Sequence, residues 1–142
     1  MPAFSTAIIE VLKQTADMDK GLICVVDDDQ SMGRMLDRGL RAAGFEVAVF
    51  TSAEEALGSG RIDDSVCLIL DVHLPGMTGI ELQHRLKEAG GAPPVILISG
   101  QSDEQTAVQA TNEGAIGFFN KPFSIDRLLS TIQTIGPQLS ST

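Results

Sequence analysis

The sequence predicts an α/β domain in which helices cover both faces of a parallel β-sheet. Two observations lead to this prediction: short apolar runs alternate with amphipathic stretches from residue 21 onward, and most of the runs are continuously apolar. Strands that alternate with helical segments are typical of parallel sheets. Continuously apolar runs indicate strands that are buried on both faces. A chain of 142 residues is long enough to bury one such core.

Five short segments have the pattern of strands. They are residues 22–27 (LICVVD), 45–50 (FEVAVF), 66–71 (VCLILD), 94–99 (PVILIS) and 117–119 (GFF). Right-handed crossovers between parallel strands leave few topologies for such a chain. In sheets of this kind the functional residues lie at the carboxyl ends of the strands, near the point where the strand order reverses.

Three of the intervening segments carry apolar residues at helical spacing. The stripes consist of Met32, Met35, Leu36, Leu40 and Ala43; of Leu82, Leu86 and Ala89; and of Ile125, Leu128, Leu129, Ile132 and Ile135. A glycine follows each stripe, at Gly44, Gly90 and Gly136, as expected at helix ends. A further helix, from about Asp103 to Glu113, has a weaker pattern rich in Ala, Thr and Gln.

The two ends of the chain are predicted to lie outside the domain, which we place at residues 21–136. Residues 1–20 are an N-terminal extension, either a short helix or a disordered segment. In the helical alternative, Phe4, Ile8, Val11 and Leu12 share one face. Residues 137–142 are a C-terminal tail or the start of a linker.

Composition restricts the classes of partner. A formal charge of −9 repels phosphate backbones, so we expect no direct nucleic-acid binding by this chain. The N-terminus lacks a basic segment followed by an apolar stretch, and no run of 18 apolar residues occurs, so we expect no membrane association and a cytoplasmic location. Cys24 and Cys67 each lie inside an apolar run and are expected to be buried thiols.

Four of the predicted strands end in segments with polar residues. The first ends in Asp27, Asp28 and Asp29, the third in Asp71, and the fourth in Ser99 and Gly100, while Lys121 and Pro122 come just beyond the fifth. A parallel sheet brings these strand ends to one edge, although about a hundred residues separate the first from the last. The sequence therefore predicts one polar site at this edge.

Crowded carboxylates at such an edge raise each other's pKa unless a cation relieves them. Hard oxygen ligands suit Mg²⁺, which shares its coordination shell with a phosphoryl group. Asp71 is then a candidate nucleophile, because a carboxylate can accept a phosphoryl group to form an acyl phosphate. Ser99 offers a hydroxyl donor and Lys121 a positive charge, which an anionic group requires.

Each of these elements also has a purely structural explanation. The acidic triplet can be a loop followed by a helix N-cap, and Asp71 can cap a turn. Ser99 can be an ordinary strand end, and Lys121 an exposed lysine. No single element is specific, and the prediction depends on the ordered set.

That ordered set resembles the receiver domain of two-component response regulators. The matching segments are VVDDD, ILDVHLPGMTG, ILISGQ and GAIGFFNKPF, which together span about residues 21–136. The last segment is similar to the FixJ-type regulators. The resemblance implies a flavodoxin-like fold with a doubly wound five-stranded parallel sheet, strand order 2-1-3-4-5, and five helices.

The resemblance also implies a chemistry. A sensor histidine kinase or a histidine phosphotransfer protein would transfer a phosphoryl group to Asp71. The side chains of Asp28 and Asp71 and the backbone carbonyl of His73 would hold Mg²⁺ (or Mn²⁺), with Asp27 acting through water. Lys121 would pair with the phosphoryl group. The domain would catalyse its own phosphorylation and dephosphorylation, which leaves its classification as an enzyme open.

A switch is implied as well. Ser99 would move inward to the phosphoryl group, and Phe118, three residues before Lys121, would rotate with it. The signal would reach the face formed by the fourth helix, the fifth strand and the fifth helix, where a phosphorylation-dependent homodimer could form. The Lys121–Pro122 peptide bond is usually cis in such domains.

Three other functions are alternatives to a receiver domain, and each requires different residues. A haloacid-dehalogenase-like phosphatase needs an acid two residues after the nucleophile, where His73 stands, and a flavin-binding domain needs a hydroxyl-rich loop where the three aspartates stand. An interaction module independent of phosphorylation would not need the complete set of polar residues.

His73 and Gln101 occupy positions at which the family tunes dephosphorylation, and His73 either orients water or forms a wall of the site.

Overall fold

Five parallel strands form the single sheet of the computed structural model, which describes residues 20–100, 104–112 and 114–135. The strands are β1 (Leu22–Val26), β2 (Glu46–Phe50), β3 (Ser65–Asp71), β4 (Val95–Ser99) and β5 (Gly117–Asn120). They pair in the order β2-β1-β3-β4-β5, and every pairing is parallel. The predicted fold class and strand order are confirmed, and the carboxyl ends of all strands lie at one edge.

The described residues include five α-helices and one short 3₁₀ helix at Ile62–Asp64. The α-helices are α1 (Gln30–Ala42), α2 (Ala53–Ser59), α3 (Gly79–Glu88), α4 (Glu104–Asn112) and α5 (Ile125–Gln133). Helix α2 has only 7 residues, too few to show apolar spacing, and the sequence pattern did not locate it. Its start is marked by Ser52, whose side chain accepts a hydrogen bond from the backbone N–H of Glu55.

The core consists of two layers, one on each face of the sheet. Successive strand residues point to opposite faces. In β3, Leu68 and Leu70 therefore join the layer beneath α2, α3 and α4, whereas Cys67 and Ile69 join the layer beneath α1 and α5. All five residues of β1 and of β4 are buried, as the continuous apolar runs predicted.

Two members of the predicted helical stripes lie off the buried faces. Met35 is 40% exposed, because the buried side of α1 is formed by Gly33, Leu36 and Leu40 and Met35 is rotated away from them. Ala89 follows the last residue of α3 and is exposed.

Both cysteines are buried free thiols, as predicted. Burial raises the pKa of Cys24, and it raises the pKa of Cys67 to about 12. The reactive thiolate is therefore scarce at both positions.

Several predictions fall outside the described residues and stay predictions. They concern residues 1–19, Gly136 and the tail at 137–142, Gln101 and the ends of the fourth helix at Asp103 and Glu113. Within the described ranges, no helix combines the length and the apolar character that crossing a membrane would require.

Candidate functional site

Three carboxylates meet at the carboxyl edge of the sheet. Asp27 and Asp28 directly follow β1, Asp71 ends the neighbouring strand β3, and the three side chains offer oxygen atoms within 4.8 Å of one another. Asp27 and Asp71 are 1% and 4% exposed, whereas Asp28 is exposed to solvent. The cluster is thus buried on one side and open on the side of Asp28.

Asp27 is the most deeply buried of the three. Its Oδ1 accepts a hydrogen bond from the backbone N–H of Asp29 at 2.9 Å. Its Oδ2 lies 3.0 Å from Lys121 Nζ but accepts no well-aligned hydrogen bond from the described residues. Burial raises the pKa of Asp27 to about 6, although the Asp29 N–H and the Lys121 ammonium partly oppose that rise.

Lys121 bridges two of the carboxylates. Its Nζ lies 3.0 Å from Asp27 Oδ2 and 3.3 Å from Asp71 Oδ2, and its side chain is 18% exposed. Burial alone would lower the pKa of Lys121, but the two carboxylates outweigh it and the pKa is raised. The Lys121 N–H donates to Ser99 O at 2.7 Å, which fixes the backbone from which this side chain extends. The Lys121–Pro122 peptide bond is cis, as expected.

Asp71 is held at the end of its strand by the loop that follows. Its Oδ1 accepts a hydrogen bond from the backbone N–H of His73 at 3.1 Å. The first residue of α3, Gly79, packs directly on the Asp71 backbone, and a Cβ at that position would collide with the Asp71 carbonyl oxygen. A side chain at position 79 would therefore push the helix away from Asp71.

The remaining predicted residues lie on the strands next to this cluster. Ser99 ends β4 and is fully buried, one residue beyond Ile98, which pairs in register with Asp71. Phe118 in β5 is partly buried against the layer beneath α2, α3 and α4, and it pairs in register with Leu97. The side chain of His73 is exposed.

One feature of the site was not predicted. The sequence indicated that Lys121 would pair with a phosphoryl group, and that Asp27 would act through water, but the two side chains also contact each other. Because Asp27 and Lys121 are far apart in the sequence, no local pattern indicates this contact. The third aspartate has the structural role considered for it, because the Asp29 side chain caps α1 by accepting hydrogen bonds from Ser31 N and Met32 N.

The donor set fits a divalent metal ion. Three carboxylates within 4.8 Å of one another provide hard oxygen ligands, and the Oδ2 atom of Asp27 is a buried acceptor with an unused lone pair. Asp28 leaves the cluster accessible from solvent. The acidic residues could therefore bind a metal ion.

The fold and the acidic edge define a class of protein. The sequence model of the response regulator receiver domain matches residues 23–133, which is most of the chain. The chain belongs to this family, and the predicted resemblance is confirmed. It is a receiver domain of two-component signalling, a class of domain that interacts with kinases or phosphotransfer proteins.

Individual relatives agree with this assignment. Nodulation protein W of Bradyrhizobium diazoefficiens is 41% identical over 113 residues, covering 80% of this chain and 50% of the relative. The transcriptional regulatory protein FixJ of the same organism is 38% identical over 115 residues, covering 81% and 56%. The solved structure of the response regulator StyR is 41% identical, with a TM-score of 0.75 and coverage of 84% and 60%. The chain spans about half the length of the curated relatives it matches.

Proposed function

We propose that this chain is the phosphoacceptor domain of a response regulator and that Asp71 accepts the phosphoryl group. The donor is a sensor histidine kinase or a histidine phosphotransfer protein. One observation carries the proposal: the Asp71 carboxylate stands at a strand end, 3.3 Å from the Lys121 ammonium and beside two further carboxylates. Three carboxylates and a lysine ammonium therefore lie together at one edge of the sheet, and this arrangement supports phosphoryl transfer to Asp71.

The transfer needs few protein groups. An oxygen of Asp71 attacks phosphorus, the P–N bond to the donor histidine breaks, and the electron pair of that bond remains on the imidazole nitrogen. Lys121 stabilises the negative charge on the phosphoryl oxygens. Asp28, Asp71 and the backbone carbonyl of His73 would hold Mg²⁺ or Mn²⁺, with Asp27 acting through water. When bound, the ion neutralises charge on the transferred group.

The output would be a shift between two packings of one face of the domain. The Ser99 hydroxyl would hydrogen-bond the phosphoryl group, and Phe118 would change its position with it. Their location supports this, because Ser99 O accepts a hydrogen bond from the Lys121 N–H and Phe118 lies on β5, the strand that pairs with the strand of Ser99. The affected face is formed by α4, β5 and α5, and the phosphoryl contacts bias its equilibrium.

The site assignment is tested by intact mass spectrometry after incubation with acetyl phosphate and Mg²⁺. The wild type is expected to gain one phosphate, and Asp71→Asn to gain none, because an amide oxygen is a poor nucleophile. Asp63→Asn, which changes an exposed aspartate of the 3₁₀ helix, is the matched control and should label normally. Stoichiometric labelling of Asp71→Asn would exclude Asp71 as the acceptor.

A wild type that gains no phosphate and whose stability does not respond to beryllofluoride would instead favour an interaction module independent of phosphorylation.

The proposed homodimer has its own test. Light scattering should show a larger mass with beryllofluoride and Mg²⁺ than without them. An identical mass in both states would mean that the output of this domain is not dimerisation.

A further inference from the structure

A glutamate from another element covers the turn that follows the acceptor strand. Glu54 lies in the first turn of α2, and its Oε2 accepts a hydrogen bond from the backbone N–H of Met77 at 3.3 Å. The same oxygen lies 3.0 Å from the point that a Cβ on Gly76 would occupy. Gly76 has φ +74°, so glycine provides both the left-handed backbone and the space for this carboxylate.

The loop between Asp71 and α3 is held at several points. At its start, the Val72 N–H donates to Ile98 O, the Val72 carbonyl accepts from the Gly79 N–H, and the His73 N–H donates to the Asp71 carboxylate. In the middle, the Leu74 side chain is buried in the core layer beneath α2, α3 and α4. At the turn, the carboxylate of Glu54 is the one hydrogen-bonding group, among the described residues, that another element offers to the backbone of residues 75–77.

We infer that Glu54 is a positioning residue for the acceptor site: it holds this loop in the conformation that presents the His73 carbonyl to the divalent cation. The inference rests on the proposed function, in which that carbonyl is a metal ligand. Without the contact to Met77, a smaller fraction of molecules has the loop in place. The apparent metal affinity equals the intrinsic affinity multiplied by that fraction, while the fully loaded site is unchanged.

A purely electrostatic role makes a different prediction. If Glu54 acted only through its negative charge, Glu54→Gln would be equivalent to Glu54→Ala. A positioning role through the hydrogen bond predicts that Gln restores wild-type behaviour, because its side-chain oxygen can still accept from the Met77 N–H.

Glu55 provides a matched control. It carries the same charge in the same first turn of α2, but its carboxylate accepts a hydrogen bond from the Thr51 hydroxyl at 3.2 Å and not from the loop. Loss of either glutamate changes the charge at the helix N-terminus equally. A difference between Glu54→Ala and Glu55→Ala therefore reports on the loop contact.

The experiment compares the full chain as wild type, Glu54→Ala, Glu54→Gln and Glu55→Ala in two measurements. The first is thermal stability as a function of Mg²⁺ concentration without a phosphoryl donor, which gives the Mg²⁺ affinity. The second is the initial rate of labelling by acetyl phosphate over the same Mg²⁺ range. We expect Glu54→Ala to weaken Mg²⁺ binding about three- to fivefold, the loss typical of one exposed hydrogen bond, with a labelling rate at saturating Mg²⁺ within about twofold of wild type.

The outcomes separate the two proposals. Equal Mg²⁺ affinities for Glu54→Ala and Glu55→Ala, or a Glu54→Gln variant as weak as Glu54→Ala, would overturn the positioning role. A wild type that binds Mg²⁺ in a Glu54-dependent manner, but neither gains phosphate nor responds in stability to beryllofluoride, would overturn the proposed function and retain the loop contact. Absence of any Mg²⁺-linked stabilisation in the wild type would overturn both.

Discussion

Two parts of the domain differ in how much of their side chains is buried, and they are called here the tightly packed half and the loosely packed half. In the tightly packed half, formed by β1, β3 and β4, nearly every strand residue is buried. In the loosely packed half, formed by α4 and β5, no residue of β5 is buried and Ala110 is the one buried side chain among those described in α4. Val108, for example, is 59% exposed.

This difference matches two physical requirements. Carboxylates that bind a cation must keep a fixed geometry, and the proposed ligands Asp27, Asp28 and Asp71 all lie at the carboxyl ends of strands of the tightly packed half. An element that changes its packing must have competing arrangements of similar free energy, which is easier where little apolar surface is buried. Lys121 joins the halves, because it directly follows β5 and pairs with the carboxylates after β1 and β3.

The largest expected effect compares one apolar truncation in each half. Leu97→Ala, at a fully buried position in β4, should lower the free energy of unfolding by about 2–5 kcal/mol through lost burial and a cavity. Val108→Ala, on the exposed side of α4, should change it by about 0.5 kcal/mol or less. Urea denaturation measures both. Similar losses for the two variants would contradict the division into halves.

The second largest expected effect is on stability, and it comes from removing the buried charge of Asp27. The pKa of Asp27 is raised from 3.8 to about 6, so the folded protein holds this proton more tightly than the unfolded chain does. The ionised carboxylate therefore disfavours folding, and its contribution to stability falls as the pH rises from about 4 to about 6. Without divalent ions at pH 7, Asp27→Asn should stabilise the protein by up to roughly 3 kcal/mol.

Thermal unfolding with a chelator, at pH 4 and at pH 7, measures this effect. The gain in stability of Asp27→Asn over the wild type should nearly vanish at pH 4, where the wild-type Asp27 carboxyl is protonated in the folded state. A gain of the same size at both pH values would show that the substitution acts through packing and not through charge.

The smallest expected effect is the stabilisation of the folded protein by bound Mg²⁺. At a Mg²⁺ concentration ten times the dissociation constant, binding should stabilise the wild type by about 1.4 kcal/mol. Asp28→Ala should abolish this increment, since it removes the exposed carboxylate of the cluster. Val108→Ala should retain it, because the proposed cation site lies in the tightly packed half. An increment that survives in Asp28→Ala would place the metal elsewhere.

Local patterns explain most of the successful predictions and some of the failures. Continuous apolar runs locate the strands, and the acidic triplet indicates a loop with a helix N-cap because capping depends on adjacent residues; the structure assigns the cap to Asp29. Helix α2 was not located, since 7 residues carry too little periodicity. Met35 was placed in a buried stripe because spacing alone cannot tell the centre of an apolar face from its edge. Glu54 resembles any exposed helical glutamate, so no sequence signal marked its contact with the loop.

The sequence by itself determined the succession of strands and helices and the polar residues that follow each strand. Both properties depend on near neighbours along the chain, where periodicity and turn chemistry act. The tertiary structure alone decided that Asp27 is buried while Asp28 is exposed, and that Lys121 contacts both Asp27 and Asp71. Burial and ion pairing depend on which distant segments surround a side chain, and that arrangement exists once the sheet has assembled.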